Sequence, residues 1–251
     1  MSGKNIIEAR GLTKRYGNHT AVDNLSFQIL EGEIFGFLGP NGAGKSTTLL
    51  MLLGLTQPSD GTLSVCGFDP LRNPKEVKRQ VGYLPENVGF YGDLDAVQSL
   101  EYVADLNGLD RKEARERIRE ALEIVGLADE ADGKKVGTFS RGMKQRLGIA
   151  EVLIKKPKVL FLDEPTLGLD PKGAIRLIEL IQSLNRDRGI TVLLSSHALH
   201  EVQKISDRVG IMINGKMVAE GSIDELAREK LGVEGKTYTL EEIYMKYFQE
   251  V

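Results

Sequence analysis

The strongest constraint on this chain is the segment Gly39, Pro40, Asn41, Gly42, Ala43, Gly44, Lys45, Ser46 and Thr47. Its first eight residues fit the spacing G-x-x-x-x-G-K-[ST]. The apolar run Ile34 to Leu38 precedes them, and a helix is expected from Lys45 to about Leu53. A buried strand must therefore turn sharply into a helix. The glycines allow backbone shapes closed to other residues, so amide groups can approach a phosphate closely. Those amides lie at a helix N-terminus, where the helix dipole favours an anion. Lys45 adds a positive charge for terminal phosphates, and the Ser46 hydroxyl is a candidate Mg²⁺ ligand. The loop alone does not choose among ATPases, GTPases and kinases.

A second apolar run, Val159 to Leu162, ends in two acids, Asp163 and Glu164. At the carboxyl end of a parallel strand both would face a bound ligand. Asp163 suits a Mg²⁺ site. Glu164, one residue on, points differently and can orient or deprotonate an attacking water. A third buried run, Thr191 to Leu194, leads into Ser195, Ser196 and His197. A histidine there can donate a hydrogen bond to a terminal phosphate.

The rest of the chain reads as strands and helices around these motifs. Ile6 to Arg10 and Leu25 to Ile29 read as strands, as does Val81 to Leu84. From about 94 to 155 the pattern turns helical. Leu94, Val97, Leu100, Val103 and Ala104 fall at helical spacing. Asp110 and Glu113 resemble a capping box, with Ile118, Leu122 and Val125 forming the apolar stripe behind it. A helix from about Lys172 to Leu184 separates two of the buried strands. Alternating strands and helices imply a parallel sheet with right-handed crossovers. Asn214-Gly215, between Val209–Ile213 and Lys216–Ala219, is a hairpin signal. Short amphipathic helices are expected after Ser222, one of them near Leu240 to Phe248.

Composition narrows the classes. The 251 residues, 41% of them apolar, can bury a sizeable core. A formal net charge of −3 does not mark a nucleic-acid binder. Lys134-Lys135 and Lys155-Lys156 read as solvated faces. The one cysteine, Cys66, rules out a disulfide framework and reads as a buried small apolar residue. Met1 to Arg10 lack a signal-peptide pattern, and no apolar run approaches the ~20 residues that span a bilayer. A cytoplasmic chain, carried to the membrane only by a partner, is the expectation.

Taken in order, the motifs resemble the ATP-binding cassette family from about Ile6 to Ser222. The resemblance implies an α/β P-loop NTPase. Its central sheet would be mostly parallel, with an N-terminal antiparallel β subdomain and a helical subdomain at about 87–155. The cassette would occupy 1–222, followed by a helical tail at 223–251. It further implies that Tyr16 stacks on adenine with Val22 beside it, and that Gly39 to Thr47 holds the phosphates. Asp163 would hold magnesium, Glu164 would catalyse hydrolysis, and His197 would act as the switch histidine. Phe139-Ser140-Arg141-Gly142-Met143 looks like the family signature, and Leu169-Asp170 looks like the loop that crosses to a partner subunit. Ser140 is a candidate N-cap, and the resemblance implies that its helix end would face the ATP held by a second subunit.

Two departures stand out. Arg141 and Met143 replace a glycine and a glutamine of the usual signature, while Ser140 and Gly142 remain. Glu86 stands where the family typically has glutamine, as a further candidate Mg²⁺ ligand. These variants and the short tail look like the export-type subfamily that works with separately encoded permeases. The resemblance therefore implies an ATP-hydrolysing subunit with ATP and Mg²⁺ as its cofactors. It would pair with itself or a related ATPase, and sit on the inner face of the cell membrane through an integral membrane permease. A soluble cassette ATPase acting in protein or metal-cofactor assembly is the alternative.

Overall fold

The computed structural model of the chain describes residues 3–131, 133–232 and 238–249. Residues 233–237 and 250–251, part of the expected tail, lie outside the described residues. The chain opens with strands β1 (Asn5–Tyr16) and β2 (His19–Leu30), which turn at Gly17 and pair antiparallel. Next come β3 (Ile34–Leu38), helix α1 (Lys45–Leu52) and β4 (Asp60–Val65), the last pairing antiparallel with β1. Helix α2 (Pro74–Gln80) leads into β5 (Val81–Leu84). Three helices follow: α3 (Ala96–Leu106), α4 (Arg111–Ile124) and α5 (Arg141–Leu153). Alternation then resumes with β6 (Val159–Asp163), α6 (Pro171–Arg188), β7 (Thr191–Ser196) and α7 (Leu199–Ile205). A hairpin, β8 (Arg208–Ile213) and β9 (Lys216–Gly221), turns at Asn214-Gly215 as its residues demand. Helices α8 (Ile223–Leu231) and α9 (Leu240–Gln249) close the described chain.

The central sheet runs β5-β6-β7-β3-β8-β9, parallel except for β9. Strands β3, β5, β6, β7 and β8 are largely buried on both faces, so they read as nearly unbroken apolar runs. Side chains nonetheless alternate between two cores. Phe35, Phe37, Val159, Phe161 and Leu193 join one, together with the antiparallel sheet and α1. Ile34, Leu38, Leu160, Leu162, Val192 and Leu194 join the other, beneath the remaining helices. An aromatic cluster anchors the first core, with the Phe27 and Phe37 rings edge to face at 5.0 Å. The three helices α3, α4 and α5 pack on one another, and α5 reaches β5.

Several local readings change in the structure. The reciprocal capping box belongs to Asp95 and Gln98 at the start of α3. Asp110 does cap α4, accepting from Lys112 and Glu113 amides, but Glu113 pairs with Arg117 one turn on. Leu94, Val97 and Val103 are only half-buried, because α3 seats its Ala96, Leu100 and Ala104 edge. Lys155 is not a solvated lysine. Its ammonium donates to the carbonyls of Lys78 (3.2 Å) and Val81 (3.0 Å), and burial lowers its pKa. Cys66 is half-buried with φ 52 in the turn after β4, and burial pushes its thiol up to about 11.

Gly36 shows how tightly α7 lies on the sheet. A Cβ there would sit 2.5 Å from Val202 Cγ1. Gly36→Ala should cost about 1–3 kcal/mol by overpacking, read as a lower denaturant midpoint at unchanged slope. Adding Val202→Ala should recover part of that loss.

Candidate active site

The phosphate loop leaves β3 at Leu38 and enters α1 at Lys45. Gly44 is the helix N-cap with φ 102, a left-handed shape that glycine adopts without strain. It is also wedged, since a Cβ would lie 2.5 Å from the Ala21 carbonyl oxygen. The β8–β9 turn supports the loop from behind, where the Gly215 amide donates to the Ala43 carbonyl at 3.1 Å. No acidic residue occupies the first turn of α1, so its dipole and free amides are not neutralised locally.

Lys45 is buried inside the loop. Its Nζ donates to the Gly39 carbonyl at 2.7 Å and lies 3.4 Å from Glu164 Oε1. The Ser46 hydroxyl donates to Asp163 Oδ1 at 3.1 Å, and Ser195 Oγ donates to the same oxygen at 2.5 Å. The β6–β7 register places Asp163 directly opposite Ser195.

Glu164 turns away from the strand with φ 47, an uncommon value for a residue with a side chain. Its amide donates to the Ser195 carbonyl and hydroxyl oxygens, each at 3.1 Å. The carboxylate is held at both ends. Oε1 faces Lys45, and it is a buried oxygen with no hydrogen-bond donor among the described residues. Oε2 accepts from the His197 amide at 3.2 Å and meets His197 Nδ1 at 2.7 Å. An ionised carboxylate, which only accepts, would take this contact from a protonated Nδ1. The imidazole itself remains half exposed.

Five expected residues, Lys45, Ser46, Asp163, Glu164 and His197, thus converge in direct contacts. The others occupy separate places. Tyr16 is exposed where β1 turns into β2, with Lys14 Nζ 4.8 Å from its ring centre. Val22 is fully buried beneath the loop, its Cγ2 3.2 Å from where a Gly44 Cβ would sit. Glu86 is exposed just beyond β5. Nearby, burial first and then the Asp163 and Glu86 charges push the Tyr83 hydroxyl up to about 12. Ser140 caps α5, accepting from the Met143 amide at 3.3 Å, and is exposed. Gly142 lies in the first turn of α5, close to Leu169. Asp170 is the exposed N-cap residue of α6.

Ser46 and Asp163 offer hard oxygen donors side by side. That suits Mg²⁺, which takes few protein ligands and completes its shell with water and phosphate oxygens. No group of three or more His, Cys, Asp or Glu among the described residues could cage a metal alone.

The sequence motifs did not single out Ser195 or Gln145. Ser195 ties Asp163 to the Glu164 amide. The signal was a hydroxyl at the end of a buried strand. Gln145 is buried in α5 and donates to the Pro165 carbonyl at 2.9 Å, joining the signature helix to the segment after Glu164. Buried amides at helical positions leave no local signature.

This fold and this site define a P-loop NTPase. The family model for the ABC transporter matches residues 22–167. The bacitracin transport ATP-binding protein BcrA of Bacillus licheniformis is 47% identical over 89% of this chain and 72% of its own length. A solved ATP-binding subunit of an ABC transporter superposes with TM-score 0.85 at 30% identity, covering 97% of this chain and 99% of the other. A dimeric ATP-binding cassette in a post-hydrolysis state, bound to ADP and Pi, superposes with TM-score 0.76 at 25% identity, over 86% of this chain and 98% of that one. The chain belongs to the ABC transporter family. It is an ATP-binding, ATP-hydrolysing transporter subunit, and no described helix is long and apolar enough to cross a membrane.

Gly44→Ala combines a left-handed φ with a 2.5 Å clash against backbone. It should abolish measurable ATP binding in a fluorescent-nucleotide titration, while Gly42→Ala, where a Cβ meets nothing within 4 Å, should bind more weakly but detectably.

Proposed function

We propose that two cassettes, two copies of this chain or this chain and a related ATPase, close head to tail over two ATP molecules. Each nucleotide would lie on the phosphate loop of one subunit and the Ser140–Gly142 helix end of the other. The observation that carries the hydrolytic part of this reading is the Glu164 carboxylate, fixed between Lys45 at 3.4 Å and His197 at 2.7 Å. A carboxylate so held can orient a water toward a terminal phosphate, with Lys45 beside it to balance charge. Mg²⁺, held by Ser46 and Asp163 with Glu86 as a further ligand, would neutralise phosphate charge. Tyr16, exposed at its turn, offers a ring for adenine, and Val22 supports the loop from below.

Binding and hydrolysis then drive a two-state clamp, because ATP contacts both subunits only when they are closed. Exposed Ser140 supports a contact made across subunits, as does the seating of the α5 end against Gly168 and Leu169 of its own chain. The motion would work a separately encoded integral membrane permease, holding this chain on the inner face of the cell membrane. The helical segment from Glu86 to Ser140 is the proposed docking face. There Tyr91 and Tyr102 stand exposed, edge to face at 5.8 Å. Outward movement of cargo is supported by the likeness of the Arg141 and Met143 signature to the export-type subfamily.

Glu164→Gln should lower ATP turnover by about 10²–10⁴-fold. In the presence of ATP and Mg²⁺ it should run as a stable dimer in size-exclusion chromatography. Monomer at every concentration would overturn the clamp. Co-purification with a multi-span protein from detergent-solubilised membranes, weakened by Tyr91→Ala with Tyr102→Ala, tests the docking face.

A further inference from the structure

Where β6 and β7 end, the Glu164 amide donates to the Ser195 carbonyl and hydroxyl, and the His197 amide donates to Glu164 Oε2. Two side-chain links add to these. One link is the contact of His197 Nδ1 with Glu164 Oε2 at 2.7 Å. The other is the bond that Thr166 Oγ1 donates to Glu201 Oε2 at 2.5 Å. Thr166 stands two residues after Glu164, and Glu201 four after His197, on α7. Both are shielded, Thr166 at 8% exposure and the Glu201 side chain at 13%. A shielded hydroxyl-to-carboxylate bond is charge-assisted and stronger than a neutral one. The other Glu201 oxygen lies 4.0 Å from His200 Nε2, at the limit of an ion pair with a mostly exposed ring.

We propose that Glu201 is a positioning residue for hydrolysis, acting through Thr166. The proposal rests on the reading of Glu164 and His197 as the hydrolytic pair. Glu164 keeps a left-handed backbone, which persists only where its surroundings over-determine it. The bonds at Ser195 and His197 hold the strand ends. The Thr166–Glu201 link adds a tie between α7 and the segment after Glu164. Short backbone bonds stiffen both ends of it: Leu167 and Leu169 amides donate to the Glu164 and Thr166 carbonyls at 3.1 Å, and the Glu201 amide donates to Ala198 at 3.0 Å. On the far side of the loop, Gln145 holds the Pro165 carbonyl. The segment from Glu164 to Leu169 is therefore clamped from α5 and from α7.

The test is steady-state ATP hydrolysis by the full chain carrying Thr166→Val, Thr166→Ser, Glu201→Ala, Glu201→Gln, or Thr166→Val with Glu201→Ala. Thr166→Val and Glu201→Ala should each lower kcat about tenfold, while KM and nucleotide Kd stay within about twofold. The double variant should be no slower than either single one, because both remove the same bond. Thr166→Ser should restore wild-type kcat, and Glu201→Gln, which keeps an acceptor without the charge, should fall between. Unchanged kcat in the single variants, or additive losses in the double variant, overturns the proposal. So does a loss confined to Tm and KM. If Glu201→Ala does not fold, Thr166→Ser against Thr166→Val makes the same comparison. Glu164→Gln run alongside separates the two claims. Retained hydrolysis there defeats the reading of the pair, whereas abolished hydrolysis there with normal Thr166→Val turnover defeats only the brace.

Discussion

The parallel register between β6 and β7 is the constraint on which the site depends. It sets Asp163 opposite Ser195, so one hydroxyl reaches both the Asp163 carboxylate and the Glu164 amide. It also brings His197, two residues further, to the Glu164 carboxylate. A slip of one residue would exchange the faces of β7 and break all of these contacts together. The register is held because Leu160, Leu162, Val192 and Leu194 must enter one core while Phe161 and Leu193 enter the other. The chemistry at the strand ends is thus fixed by packing along the strands.

Charge at the site is balanced in the same economical way. Lys45 lies within its own loop and also faces Glu164, so one ammonium serves the loop carbonyls and the carboxylate. A buried carboxylate needs such partners, because an unpaired charge away from water is costly. Glu164 Oε1 is buried against the Lys45 ammonium at 3.4 Å, while Oε2 takes the His197 contacts.

Much of this was legible from sequence. The buried strands β3, β5 and β6 begin and end as their apolar runs predict, because a strand buried on both faces has no polar position to blur its limits. The Asn214-Gly215 hairpin followed from turn chemistry. By contrast, β4 and α2 carry few buried residues (only Val77 in α2), so their patterns are faint. Helix α7 is short and begins without a side-chain cap. Lys155 reads as a surface lysine until the carbonyls of Lys78 and Val81, distant along the chain, are seen to meet it. Val22 reads as a ligand neighbour, but its side chain is packed beneath Gly44.

The sequence by itself determined the kind of chemistry. A Gly-rich turn with Lys45 and Ser46, and acids at the end of an apolar run, are local patterns whose physical meaning survives without coordinates. Only the tertiary structure decided which groups share a bond. Ser195 with Asp163, Gln145 with Pro165 and Thr166 with Glu201 are separated by 20 to 35 residues along the chain. Such pairings come from strand register and helix packing, which depend on the whole core and leave no mark at either residue alone.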